Sequence, residues 1–355
     1  MGKVTDWIKQ HQLSAFFGIT FAITGGLGFS YDAVTNRGNE LLIPLAVIAT
    51  CGPALAGILV TAVINTQPRQ GSRRIFWIAF FAAWAVSTLV FLANNIYINE
   101  APFSAGMVVF IFVAVAPVAF VISMAFSRIP SVKRYVSSLL RLHSIWRWNL
   151  MALALIPILI LISIRISNLL GRHAYIAHRF TATNLGLIGL VVVKFLYQFF
   201  FFNATGEEIG WRGFALPRMQ SIISPLAACL VINFFWPLWH FFIWKAEGSS
   251  VFSMDYWIQK YLELLPATVT INWLYNRSKG SILTAGLAHA AANTAFAFFP
   301  NLDWQVYNWT TAAAALVMML VDRMWKKLPP GHPAVYKPAE PAAEPDTELT
   351  PSVST

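Results

Sequence analysis

Ten long apolar runs, separated by short stretches that collect the basic residues, leave this chain few ways to fold. Crossing bilayer hydrocarbon takes about 20 apolar residues per helix, because every backbone N–H and C=O must find its partner within the segment. Runs of about that length cover residues 13–30, 41–65, 75–94, 106–126, 148–166, 184–202, 222–244, 257–275, 281–299 and 304–321. They are continuous rather than alternating, which excludes the two-residue period of a membrane β-barrel. Only 11% of the residues are charged and 57% are hydrophobic, against about 25% charged in soluble domains. The expected fold is all-α, a polytopic transmembrane helical bundle of about ten spans.

The net charge of +10 does not point to nucleic acid, because the basic residues lie between the apolar runs and form no phosphate-tracking stripe. Arg69, Arg73 and Arg74 precede the third run. Arg128, Lys133, Arg134, Arg141 and Arg147 precede the fifth, Arg277 and Lys279 the ninth, and Arg323, Lys326 and Lys327 follow the tenth. All four groups share one side if the N-terminus, with Lys3 and Lys9, is cytoplasmic. The bias of Lys and Arg toward the cytoplasm then puts both termini inside, in an integral protein of the plasma membrane. Arg172 and Arg179 run against this pattern, on the expected outer side. No small-residue cleavage site follows the first apolar run, so it is read as a retained span and not as a signal peptide. Residues 127–147 alternate basic and apolar side chains, as an amphipathic helix on the cytoplasmic leaflet would. Cys51 and Cys229 both lie in apolar runs, so neither a disulfide framework nor a zinc-finger spacing is present. The chain divides into an N-terminal region of about five helices (1–183), a second membrane region (184–325) and a Pro/Ala/Glu-rich tail (326–355), which is expected to be disordered.

Against this apolar background stand Glu207 and Glu208, two of only 15 acidic residues. Ionisable groups within membrane spans are costly and mark functional sites by default. Glu208 and Arg212 are i and i+4, so they share a helix face and can pair, leaving Glu207 free to face elsewhere. His240 sits deep in an aromatic run, and His289 has Asn293 one turn further on the same face. Each of these taken alone is ordinary: two acids suit the first turn of a helix, and a lone buried histidine is usually a satisfied core residue. Together they allow general base chemistry by a carboxylate beside imidazoles.

The ordered set Glu207-Glu208-x-x-x-Arg212, Trp236-x-x-x-His240 and His289-x-x-x-Asn293 resembles the CAAX-protease and bacteriocin-processing (CPBP, or Abi) superfamily, which includes the type II CAAX prenyl endopeptidases. The stretch from Trp273 to Leu283 is also similar to the family's approach to its last motif. The resemblance covers about 184–299; one departure is Trp236, where the family usually carries phenylalanine. It implies intramembrane, glutamate-dependent peptide hydrolysis of a membrane-associated or lipidated, CAAX-like substrate. Glu207 and His240 would activate water, His289 and Asn293 would stabilise the oxyanion, and Glu208, Arg212 and Trp236 would hold the site's shape. A mechanism without metal is expected. The alternative is a divalent metal such as zinc on a set of Glu207, His240 and His289, although no His-Glu-x-x-His signature exists. Two other classes stay in play: a catalytically silent binding or immunity protein on the same fold, and a transporter with Lys194 and the glutamates along its pathway.

Overall fold

The computed structural model of the chain describes residues 2–35, 48–140, 146–172, 184–246, 251–299 and 301–337. Among them all regular structure is helical. In chain order the helices are α1 (Gly2–Gln10), α2 (Gln12–Thr35), α3 (Gly52–Val63), α4 (Arg73–Tyr97), α5 (Ala105–Ala114), α6 (Ala116–Ser123), α7 (Pro130–Ser137) and α8 (Trp146–Leu169). There follow α9 (Asn184–Gln198), two π-helical stretches (Phe199–Glu208 and Trp211–Ala215) and α10 (Leu216–Gln220). The chain ends with α11 (Pro225–Trp239), α12 (Phe241–Ala246), α13 (Met254–Arg277), α14 (Ile282–Phe298) and α15 (Trp304–Val321). This is the helical membrane bundle that the apolar runs require. Among the described residues four helical stretches are long and apolar enough to cross a membrane: Arg73–Tyr97, Ala105–Phe126, Trp146–Leu169 and Gly186–Gln220.

Helix starts follow local chemistry. Ser72, Ser104, Ser224 and Ser281 each accept a hydrogen bond from a first-turn N–H, as does Asp303, satisfying donors that a helix N-terminus otherwise leaves unpaired. Asp303 also faces Arg172 at 3.3 Å, so the basic residue that ran against the charge pattern is paired with an acid. Arg179, Arg141 and the histidines His143, His173 and His178 lie outside the described residues.

One sequence expectation changes. A span ending at 202 would place the glutamate pair just beyond it, at the opening of a new helix. Instead the helical chain runs on from Gly186 to Gln220, and Glu207 and Glu208 close its first π-helical stretch. The hydropathy of 203–208 falls because Asn203, Thr205 and the two glutamates are polar, but these residues are buried against protein and need no apolar character. First-turn placement near a helix dipole therefore does not explain the pair.

The π-helical stretch lies at the centre of the bundle, with α3 on one side and α14 on another, while α14 also packs on α8 and α13. Glycine permits this crowding at two points. A Cβ on Gly210 would stand 2.5 Å from the Pro53 backbone of α3, and one on Gly286 of α14 would stand 2.7 Å from the Ala204 Cβ. The region 127–147 is folded in part as α7, whose Val132 and Val136 enter the main core. At the C-terminal end the packed chain continues past 326: Tyr336 N donates to Pro217 O at 3.0 Å, and Gln220 Nε2 to Ala334 O at 3.0 Å. Residues 338–355 of the expected tail lie outside the described residues.

Candidate active site

Glu207 and Glu208 are both buried, at 4% and 0% exposure, yet they have different partners. Glu208 Oε1 accepts from Arg212 Nη1 at 2.8 Å, one turn along the same helix. The same oxygen lies 2.8 Å from His289 Nδ1 of α14. Arg212, wholly buried, also donates through Nε to Asn272 Oδ1 of α13 at 2.9 Å, and Asn272 in turn donates to the Cys229 thiol of α11. The guanidinium lies 4.8 Å from the Trp236 ring centre. A buried carboxylate is thus paired with a cation that has further partners of its own, which offsets part of the cost of burying both charges.

Glu207 turns toward α11. Its Oε2 accepts from Trp236 Nε1 at 2.6 Å and stands 4.0 Å from His240 Nε2. His240 occupies the joint between α11 and α12, where Pro237 lies in the last turn. Its Nδ1 is 2.8 Å from Trp236 O. A carbonyl only accepts, so Nδ1 carries the proton and, in a neutral ring, Nε2 presents a lone pair to Glu207. The Trp236 indole also packs edge-on to the His289 ring, 5.2 Å between centres, and so joins the two histidines. Asn293, one turn beyond His289, donates to Asn203 Oδ1 of the π-helical stretch at 3.4 Å.

The structure therefore brings together, on four helical elements, six of the seven residues expected at the site. Glu207, Trp236 and His240 form one group, and Glu208, Arg212 and His289 a second. Asn293 reaches the edge of the site through Asn203. Two further participants were not assigned to the site from the sequence: Asn203, four residues before Glu207, which reads there only as part of an Asn-x-Thr sequon, and Asn272, inside the apolar α13. Each is an amide in an apolar span, which is the signal that could have found them. Lys194 lies 5.2 Å from the Tyr197 ring.

The possible metal set does not assemble. Among the described residues no three His, Cys, Asp or Glu side chains are placed to hold one ion, and His289 Nδ1 is engaged by Glu208.

Residues 189–295 match the family described as type II CAAX prenyl endopeptidase Rce1-like. That segment of the chain is similar to the type II CAAX endopeptidases. All seven site residues fall inside the matched segment. Among curated proteins it is similar to "CAAX prenyl protease 2" of Methanococcus maripaludis, 34% identical over 95 residues. That likeness covers 25% of this chain and 35% of the relative, so the chain spans about a third of the length of the curated relative it matches.

Proposed function

We propose that this protein is an intramembrane endopeptidase that hydrolyses a peptide bond in a membrane-associated or lipidated, CAAX-like substrate, with Glu207 as general base. The observation that carries the reading is the pair Glu207 Oε2 and His240 Nε2, 4.0 Å apart. Both atoms are acceptors, and the gap is too wide for a direct hydrogen bond. It suits a water that donates one hydrogen to each. Glu207 takes a proton from that water as its oxygen attacks the scissile carbonyl, and the proton then passes to the leaving amine.

The developing oxyanion needs donors already in place. Asn293 offers an amide N–H. His289 offers Nε2–H only as imidazolium, because its Nδ1 proton is engaged by the acceptor-only Glu208 carboxylate. In that state Arg212 and His289 balance Glu207 and Glu208, and the buried cluster is neutral. Glu208 is then a positioning residue, which fixes the ring of His289 as Arg212 fixes Glu208. The curated relative's name supports a prenylated CAAX protein as substrate. The basic connections support an orientation with both termini in the cytoplasm.

Parallel Glu207→Gln and Glu208→Gln variants test the assignment. Glu207→Gln is expected to abolish cleavage of a prenylated reporter peptide while melting in detergent stays near wild type. Glu208→Gln leaves the fully buried Arg212 without its counter-charge, at a cost on the order of 3–5 kcal/mol, and is expected to lower the melting temperature as well as activity. Full activity in Glu207→Gln would end the general-base assignment, and equal melting losses would end the division between the two carboxylates.

A further inference from the structure

A second polar site lies where the connections 64–72 and 127–140 meet, at the ends of α3, α4 and α6. Helix α7 buries Val132 and Val136, with Leu139 just beyond, while Lys133 and Arg134 fall on its opposite, exposed face. The floor beneath them is built. Gln70 N donates to Arg128 O at 2.7 Å, latching the two connections together, and Gly71 takes φ +86° at the turn. Ser131 donates through its hydroxyl to Thr61 O at 3.1 Å and through its N–H to Asn65 Oδ1 at 3.3 Å. Between these supports lies a cleft of about 350 Å³, whose lining includes Gln70, Ser127, Lys133, Arg134 and Ser137.

Its charge is of one sign. Lys133 and Arg134 make no ion pair among the described residues, and the chain contains no Asp or Glu between Glu100 and Glu207. Arg69, Arg73 and Arg74 lie exposed in the adjoining connection and first turn of α4. Beside these cations Ile75, Trp77 and Phe126 leave 53%, 52% and 41% of their surface open, in a protein whose outer faces meet hydrocarbon. Clustered cations next to exposed apolar and aromatic side chains are what the boundary between headgroups and acyl chains selects.

We propose that this cleft binds the phosphate of an anionic phospholipid headgroup, with Lys133 and Arg134 as its charged ligands and the acyl chains lying along Trp77 and Phe126. Cytoplasmic bias alone would account for basic residues here but requires no concave, latched site. Occupancy would also bear on the candidate active site. On the buried side of the same helix, Tyr135 donates its hydroxyl to Ile209 O at 2.5 Å, directly after Glu208. A headgroup that holds α7 would hold the support behind the glutamates. The binding site itself does not depend on the peptidase reading.

The test uses the full chain, delipidated in a neutral detergent, and titrates it with phosphatidylglycerol, phosphatidylcholine or inorganic phosphate. Retained lipid is counted by native mass spectrometry, and thermal unfolding is followed in parallel. Phosphatidylglycerol is expected to bind and to raise the unfolding temperature, and phosphatidylcholine to do neither. Lys133→Gln/Arg134→Gln should weaken phosphatidylglycerol binding roughly thirtyfold, the effect of two cations at a lipid surface. Lys326→Gln/Lys327→Gln, a pair of exposed cations outside the cleft, should change it less than twofold. Equal losses in the two double variants would mean bulk charge rather than a site. Equal binding of the two lipids would remove the role of charge, and equal stabilisation by inorganic phosphate would overturn the lipid as occupant.

Discussion

The indole N–H of Trp236 fixes how the Glu207 carboxylate is turned toward His240. It donates to Oε2, the oxygen nearer His240, so the carboxylate cannot rotate freely between the two histidines. Phenylalanine, usual at this position in the family the motifs resemble, has no such donor. Trp236→Phe keeps an aromatic ring but removes the bond, and hydrogen bonds to charged groups contribute about 1.5–3 kcal/mol. The expected outcome in steady-state cleavage is a fall in kcat of tenfold or more with KM nearly unchanged, because the bond orients the base and does not touch substrate. A rise in KM at constant kcat would place Trp236 against the substrate instead. At this scale Glu207, Glu208, Arg212, His240, His289 and Asn293 were all legible, since charge and imidazole stand out against apolar sequence. That Glu208 rather than Glu207 would face His289 was not legible, because the direction of each carboxylate depends on the helix register and on which neighbour arrives.

Helix irregularity and glycine together decide that register. The π-helical stretches at Phe199–Glu208 and Trp211–Ala215 widen the helix where it carries both carboxylates, and such stretches often accompany functional sites. Gly206 and Gly210, one turn apart, let Thr50, just before α3, and Pro53 of α3 approach at backbone distance, the small-residue mode of packing between membrane helices. Gly210→Ala would drive a methyl into the Pro53 backbone and is expected to cost on the order of 1–3 kcal/mol, as overpacking does, with activity lost as the glutamates shift. Gly189→Ala is its control: the new Cβ meets nothing within 4 Å, and alanine favours the helix by roughly 0.5–1 kcal/mol. Melting of the two variants in detergent should therefore move in opposite directions. Equal shifts would mean that contact with α3 does not constrain the helix.

Across the whole molecule, Arg218 at the end of the glutamate helix ties the two ends of the chain together. Its guanidinium lies between the Phe214 and Tyr336 rings, 3.6 and 3.9 Å from their centres, and its Nε donates to Gln12 Oε1 at the start of α2. Tyr336→Ala is expected to lower the melting temperature by an amount set by a cation–π contact, about 0.5–2 kcal/mol. Tyr336→Ala combined with Arg218→Gln should destabilise less than the sum of the two single changes, since residues in contact are coupled. Strict additivity in a double-mutant cycle would remove the tie. Sequence alone determined the class of this protein, because apolar runs of bilayer length separated by basic connections permit only helices, and the order of the polar motifs pointed to one family. It misplaced the helix that carries the glutamates, because hydropathy measures the cost of facing lipid and Asn203, Thr205, Glu207 and Glu208 face protein. Tertiary structure alone decided the pairing of Glu208 with His289 and the 4.0 Å that separates Glu207 from His240. Those contacts join segments 33 and 81 residues apart, and only the close packing of α3, α11 and α14 around the π-helical stretch sets their distances.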